Sequence, residues 1–129
     1  MREACIILPA NDPLHAEYGE GKGWPTAAQL DASNKQKRAR SDFVRAIVST
    51  FGGCTITEGF GYWADDGAVV AETVKVYTFA VDERLLEAER IIDYAATTVA
   101  LALDQKAVYV RYPNGDVSII DLCNKEKQT

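Results

Sequence analysis

The stretch from Phe51 to Glu72, FGGCTITEGFGYWADDGAVVAE, restricts the fold more than any other part of the chain. Gly52 follows an apolar helical pattern and can adopt the left-handed conformation that ends a helix. Residues 65–67, Asp-Asp-Gly, have the sequence of a tight turn between two segments rich in β-forming residues. This stretch therefore predicts a helix that ends abruptly and is followed by a β-hairpin.

Length and composition predict a single domain over residues 1–129. The chain of 129 residues is 47% hydrophobic, which is enough to bury one core, and no internal boundary divides it. The net charge of −5 argues against a general nucleic-acid-binding protein, because such a protein needs basic surface to displace counterions from phosphates. This charge is compatible with a small anion held in one basic pocket.

Cysteine usage and hydropathy predict a soluble, cytoplasmic protein. The 3 cysteines are odd in number and have no CxxC spacing, which is typical of a reduced chain. No apolar run approaches the ~20 residues that a membrane span requires. We therefore expect no association with a membrane.

The spacing of apolar residues predicts the order β-α-β-β-α-β-β. Strands are expected at 4–8, 54–64, 69–81, 107–112 and 116–122, and helices from Asp31 or Ser33 to about Phe51 and from Asp82 to Asp104. A long loop is expected at 11–30 and a frayed tail at 124–129. This order favours an α+β fold of ferredoxin-like character, in which two helices pack on one face of an antiparallel or mixed sheet.

Aromatic and cationic side chains are the candidate ligand contacts. In the strand at 107–112 the larger apolar set should meet the helices, which leaves Tyr109 and Arg111 on the other face. A ring beside a guanidinium suits the stacking of a base and the pairing of a phosphate. Tyr62 and Trp63 lie in a glycine-rich strand. Trp24, in the long loop, either pins that loop to the core or contacts a ligand.

A cationic cluster lies at the start of the first predicted helix. It comprises Lys35, Lys37, Arg38 and Arg40. A solvated helix face is the simpler explanation of such a run. The local excess of positive charge nevertheless makes this cluster the best anion-facing surface of an acidic chain.

Glu72 is an acid on a largely apolar strand face. Val70, Val74 and Val76 share that face by alternation. Because a buried carboxylate must be paired or hydrogen-bonded, we expect a partner such as an arginine, a tyrosine hydroxyl or the Trp63 indole N–H. Two roles stay open for Glu72, that of a structural anchor for the hairpin and that of a catalytic group.

Recognisable catalytic motifs are absent from the sequence. The single histidine, His15, has no partner at HxxxH or HxH spacing, so no metal site is expected. The fingerprints GxGxxG, GxxxxGK[ST] and GxSxG are also missing, which removes the common nucleotide-binding and acyl-transfer enzymes. We therefore expect no cofactor and no enzymatic activity.

The pattern from about Asp42 to Ile120 resembles the small phage proteins that block Thoeris immunity by sequestering its cyclic ADP-ribose signal. It consists of a helix ending in Phe-Gly-Gly, a hairpin of the form G-x-W-x-x-x-G-x-x-x-x-E, a long alanine-rich helix and a final strand pair with an arginine. The resemblance implies a non-catalytic homo-oligomer, in an infected bacterial cell, that binds and sequesters a cyclic ADP-ribose isomer or a cyclic oligonucleotide. The residues suited to that contact are Arg111, Tyr109, Tyr62, Trp63, Lys37, Arg38 and Arg40.

Two other functions fit the residues. The net charge of −5, with acids at the hairpin tip and along the second helix, favours a small acidic inhibitor that covers a basic surface of a host defence protein. The third hypothesis is a small lyase or hydrolase that acts through Glu72, with Tyr62 or Arg111 assisting.

Overall fold

The computed structural model describes residues 1–10 and 26–123. Predictions that concern residues 11–25 and 124–129 lie outside the described residues. They include the role of Trp24, the surroundings of His15, most of the long loop and the frayed tail.

The described elements follow the predicted order. They are β1 (Arg2–Pro9), α1 (Ala27–Phe51), β2 (Thr55–Asp65), β3 (Ala68–Val81), α2 (Ala88–Ala102), β4 (Ala107–Arg111) and β5 (Val117–Asp121). The strands form one five-stranded sheet in the order β2-β3-β1-β4-β5, and every neighbouring pair is antiparallel. The α+β prediction is confirmed, and of the two sheet types the antiparallel one is correct.

The core lies between the two helices and one face of this sheet. Side chains alternate along a strand, so core residues of one strand are two positions apart. The strand residues of the core are Ala4, Ile6, Leu8, Tyr77, Phe79, Val81, Val108 and Val110. Phe43 of α1 packs edge-on against Tyr77, with ring centroids 5.0 Å apart, and α2 contributes Ile92 and Val99. Both helices therefore cover the same face, as predicted.

Helix α1 begins earlier than predicted. Thr26 is its N-cap, and the Thr26 hydroxyl accepts a hydrogen bond from the Gln29 backbone N–H at 3.2 Å. In return, the Gln29 side-chain oxygen accepts one from the Thr26 N–H at 2.8 Å. This reciprocal capping box satisfies two backbone donors at the helix start. The predicted start at Asp31 or Ser33 is therefore wrong, and the last part of the expected loop belongs to the helix.

Helix α2 begins later than predicted, at Ala88 rather than Asp82. The Asp82 carboxylate accepts a hydrogen bond from the Arg84 guanidinium at 2.8 Å and another from the Arg84 backbone N–H at 3.0 Å. These two bonds lower the pKa of Asp82 to about 2. Asp82 thus stabilises a turn between β3 and α2 instead of capping the helix.

Tyr112, which follows β4, ties the end of that strand to the first half of α2. Its hydroxyl donates to Asp93 at 2.5 Å across the helix–sheet boundary. Partial burial, together with this hydrogen bond, raises the pKa of Tyr112 to about 12. The hydroxyl therefore keeps its proton, and this contact is a neutral donor bound to a carboxylate.

The predicted helix end at Gly52 and the predicted hairpin turn at 65–67 are confirmed by the backbone. Gly52 ends α1 with φ of 95°, and its N–H donates to the Val48 carbonyl at 2.8 Å. Asp66 and Gly67, with φ of 46° and 80°, form the tip of the β2–β3 hairpin. Gly115 turns the chain between β4 and β5 with φ of 92°.

None of the helices within residues 1–10 and 26–123 combines the length and the hydropathy that a membrane crossing requires.

We predict that Gly52→Ala lowers the free energy of unfolding by about 1 kcal/mol, because a side chain at positive φ is strained. An added Cβ at Gly52 meets no atom within 4 Å, so no steric contact contributes. Gly53→Ala is the matched control, since its neighbourhood is equally open and its φ is not in the left-handed region. Urea denaturation of both variants tests this, and equal losses would contradict the explanation.

Candidate functional site

The sheet face opposite the helices is covered by no described helix or strand, and we call it the open face. Strand alternation and register place an apolar set on it. Its apolar members include Ile7, Trp63, Val70, Val74, Val76, Tyr109, Val117 and Ile119. Several of these side chains are well exposed, among them Trp63 at 43%, Val117 at 54% and Ile119 at 69%. Exposed apolar area on this scale is typical of a binding surface.

Glu72 lies on the open face at the end of the sheet near the hairpin tip. It pairs with Gly61, while Trp63 pairs with Val70. A Cβ added to Gly61 would lie 3.7 Å from Trp63 Cζ3 and 3.3 Å from Val74 Cγ1. Because Gly61 has no side chain, the edge of the Trp63 indole can lie close to the backbone there. We call Gly61, Trp63, Glu72 and Val74 the Glu72 corner.

The Glu72 carboxylate has no fixed partner in the part of the chain that the structure describes. Its residue is half-buried, yet no hydrogen bond or ion pair joins it to any residue of 1–10 or 26–123. The expected arginine, tyrosine or indole donor is thus not found among these residues. A half-buried acid on an apolar surface without a partner has bonding capacity left for a ligand.

Tyr109 and Arg111 lie on the open face, as the strand pattern predicts. Val108 and Val110 are buried against the helices, whereas Tyr109 is half-buried and Arg111 exposed. Arg111 aligns with Cys5 of β1, which in turn aligns with Thr78 of β3. Thr78 is six residues from Glu72 along β3, so Arg111 lies roughly 20 Å from Glu72 within one chain. The two residues do not form one small-molecule site in a single chain.

Tyr62 and Trp63 are separated by the sheet. Tyr62 pairs with Ala71 and points to the helix side, whereas Trp63 pairs with Val70 and points to the open face. Tyr62 is 69% exposed at the edge strand. Within one chain, Trp63 is therefore the aromatic group near Glu72, and Tyr62 is not.

The cationic cluster of α1 lies on the helix side of the sheet, and its members differ in burial and in hydrogen bonding. Lys37 and Arg38 are exposed. Arg40 is half-buried and donates to the Pro9 carbonyl and, at 3.4 Å, to the Tyr77 hydroxyl. Arg40 therefore ties α1 to two neighbouring strands, a contact that no pattern in the sequence indicates.

Two cations that were not among the candidates lie near Arg40. Arg45 and Lys75 line a cleft of about 530 Å³ between α1 and the β2–β3 hairpin. Lys75 could have been found from the sequence, because strand alternation places it on the same face of β3 as Tyr77.

Within the described ranges, no group of three or more His, Cys, Asp or Glu residues is placed to hold a metal ion.

The fold is similar to that of solved phage proteins. No model of a known protein family and no curated protein matches the sequence. Two solved chains of a phage SAM lyase do match, one in the apo state and one in complex with S-methyl-5'-thioadenosine. Each has a TM-score of 0.56 over 92% of this chain, with 12% and 16% identity and coverage of 87% and 88% of the lyase chains. At such low identity the similarity establishes a shared fold.

This comparison contradicts the expected non-catalytic sponge, because the solved chains with this fold are those of a lyase. The expectation that the chain is not an enzyme is corrected on the same ground. It rested on missing motifs for metals, phosphates and acyl transfer, and the absence of these motifs does not exclude a lyase. The more general expectation, similarity to a phage protein with a nucleotide-like ligand, is supported, because a phage protein with this fold binds a nucleoside. No cyclic ADP-ribose sponge is shown by these matches.

We predict that Glu72→Gln leaves the free energy of unfolding within about 0.5 kcal/mol of the wild-type value, because the carboxylate has no described partner to lose. Chemical denaturation followed by circular dichroism measures this. A loss of several kcal/mol would instead support the structural-anchor interpretation of Glu72.

Proposed function

We propose that this protein is a lyase that cleaves S-adenosylmethionine and that the Glu72 corner binds the substrate. The observation that carries the proposal is the half-buried Glu72 carboxylate, which has no hydrogen-bond or ion-pair partner among residues 1–10 and 26–123 and lies on an apolar sheet face, opposite the Gly61 that the Trp63 ring approaches. The fold shared with a SAM lyase supports the reaction class. The proposal keeps the lyase hypothesis that the sequence raised for Glu72.

The chemistry of the substrate defines the bond that breaks. S-Methyl-5'-thioadenosine differs from S-adenosylmethionine by the four-carbon amino acid chain on sulfur. A lyase reaction between the two breaks the bond from sulfur to that chain, and the electron pair stays on sulfur. When the substrate's own carboxylate attacks the carbon being released, a C–O bond forms as the C–S bond breaks. The products are the neutral thioether and a lactone, and neither water nor a proton is consumed.

An apolar surface favours this internal displacement. The reaction joins a carboxylate to the carbon beside a sulfonium, so two opposite charges disappear together. Water stabilises the separated charges of the substrate more than the transition state, in which they are partly neutralised. Replacement of that water by the valines and the indole of the open face therefore lowers the barrier.

Glu72 can bind the one charged group of the substrate that the reaction leaves unchanged. A carboxylate beside sulfur would stabilise the charged substrate more than the transition state, which would slow the reaction. The substrate ammonium keeps its charge throughout, so Glu72 can bind it without that penalty and hold the amino acid chain for attack. Trp63 offers a flat ring on which the adenine can stack. Within one chain neither Tyr62 nor Arg111 can assist, because Tyr62 lies on the other face of the sheet and Arg111 lies too far from Glu72.

We expect wild-type protein to convert S-adenosylmethionine to S-methyl-5'-thioadenosine and homoserine lactone, detected by liquid chromatography and mass spectrometry. Glu72→Gln should lower the rate ~100-fold, since it removes the charge that orients the substrate. Glu3→Gln is the control, because Glu3 is an exposed acid on the same sheet face at the other end. Absence of the thioether above the protein-free reaction, with folded wild-type protein, would refute the proposal.

We also propose that the open face packs against further copies of this chain. Val117 and Ile119 on that face are exposed at 54% and 69%, and burial of such side chains between copies would stabilise an oligomer. Light scattering should then give a multiple of the 14.1 kDa chain mass. Ile119→Glu should shift the protein toward the monomer, whereas Leu86→Glu, at a 95% exposed position away from this face, should not. A monomeric wild type would contradict the proposal.

A further inference from the structure

A basic cleft lies on the helix side of the sheet, away from the Glu72 corner. It occupies about 530 Å³ between α1 and the β2–β3 hairpin. Arg40, Arg45 and Lys75 provide its positive charge, and Val44, Val48 and Ile56 its apolar wall. No carboxylate is among its lining residues. Such a concentration of positive charge is notable in a chain whose net charge is −5.

Two of the three cations have no partner among residues 1–10 and 26–123. Arg45 and Lys75 form no ion pair or hydrogen bond to a described residue. Glu58 pairs directly with Lys75 across the hairpin, but the two side chains form no ion pair. Arg40 is held in place by its hydrogen bonds to the Pro9 carbonyl and the Tyr77 hydroxyl. The cleft thus combines one positioned guanidinium with two cations that no described residue pairs, so both can contact an anion.

The Tyr77 hydroxyl gives an independent indication of a ligand. Tyr77 is only 2% exposed, and it is one of the residues that line the cleft, next to Arg40. The oxygen accepts a hydrogen bond from Arg40 at 3.4 Å, while the hydroxyl proton goes to no acceptor within the described ranges. A buried donor that is left unused destabilises the fold. An acceptor oxygen bound in the cleft would take this proton.

We propose that the basic cleft binds a small phosphate ester of the size of a nucleoside phosphate. Its volume lies in the range of small-molecule sites, roughly 300–1,000 Å³. Arginine and lysine bind phosphate oxygens through charge-assisted hydrogen bonds, and the hydroxyls of Ser41, Ser49 and Tyr77 add further donors. The valines and Ile56 supply an apolar surface for the sugar or base.

This site is distinct from the proposed lyase site. The two lie on opposite faces of the sheet, because Lys75 and Tyr77 alternate with Val74 and Val76 along β3. S-Adenosylmethionine carries a net positive charge, so the three cations of the cleft repel it. The cleft is therefore suited to a second, anionic ligand.

Isothermal titration of the full chain with ATP, AMP, inorganic phosphate and adenosine tests the proposal. We expect the affinity to fall from ATP to AMP to phosphate. Any binding of adenosine should be unchanged by Lys75→Gln or Arg45→Gln, because adenosine has no phosphate for these cations to contact. Lys75→Gln and Arg45→Gln should each weaken ATP binding ~10-fold, as expected for loss of one charged contact of about 1.4 kcal/mol. Arg38→Gln is the control, because Arg38 is an exposed cation of the same helix that does not line the cleft.

Several results would overturn the proposal. One is the absence of heat from ATP at millimolar concentration with folded protein, and another is equal weakening by Arg38→Gln. Tighter binding of an unphosphorylated single-stranded oligonucleotide than of ATP would indicate a macromolecular ligand instead. Glu72→Gln should leave ATP binding unchanged, so failure of the lyase proposal and failure of this one are separately visible.

Discussion

The antiparallel register between β1 and β3 is the constraint on which the rest of the structure depends. It pairs eight residues of β1 with β3, from Arg2 with Val81 to Pro9 with Val74. A slip of one residue would exchange the two faces of β3, so that Val76 would turn to the helices and Tyr77 to the open face. The size of the core side chains prevents that slip, since Tyr77 packs edge-on against Phe43. The same register therefore determines the core, the position of Glu72 and the lining of the basic cleft.

Alternation along the β2–β3 hairpin also separates the charges of the molecule. Glu72 lies on the open face beside Trp63, whereas Lys75 lies on the helix side near Arg40 and Arg45. Among the described residues, the sheet thus separates an acid without a hydrogen-bond or ion-pair partner, Glu72, from two cations without one, Arg45 and Lys75. The charges on the two sides favour the two proposed ligands, a cation at the Glu72 corner and an anion in the basic cleft.

Much of the fold could be predicted from local patterns, while the site depended on long-range geometry. The turn at 65–67 and the end of α1 at Gly52 were predictable because each requires particular residues. The helix starts were missed because the capping box at Thr26 precedes a polar first turn, and because Asp82 binds Arg84 in a turn. Alternation alone could have separated Tyr62 from Trp63. The distance from Arg111 to Glu72 could not be predicted, since it depends on the insertion of β1 between β3 and β4.

The proposed reaction and the proposed association depend on one physical condition. Displacement of a sulfonium by a carboxylate is accelerated by an apolar surface only where water is excluded. In a single chain the open face is wet, because Trp63 is 43% exposed and no described helix or strand covers it. A second copy packed on this face would remove that water and strengthen the contact between Glu72 and the substrate ammonium. The proposed catalysis at the Glu72 corner therefore depends on the proposed covering of the open face. The proposed anion binding in the basic cleft does not, because the cleft lies on the other side of the sheet.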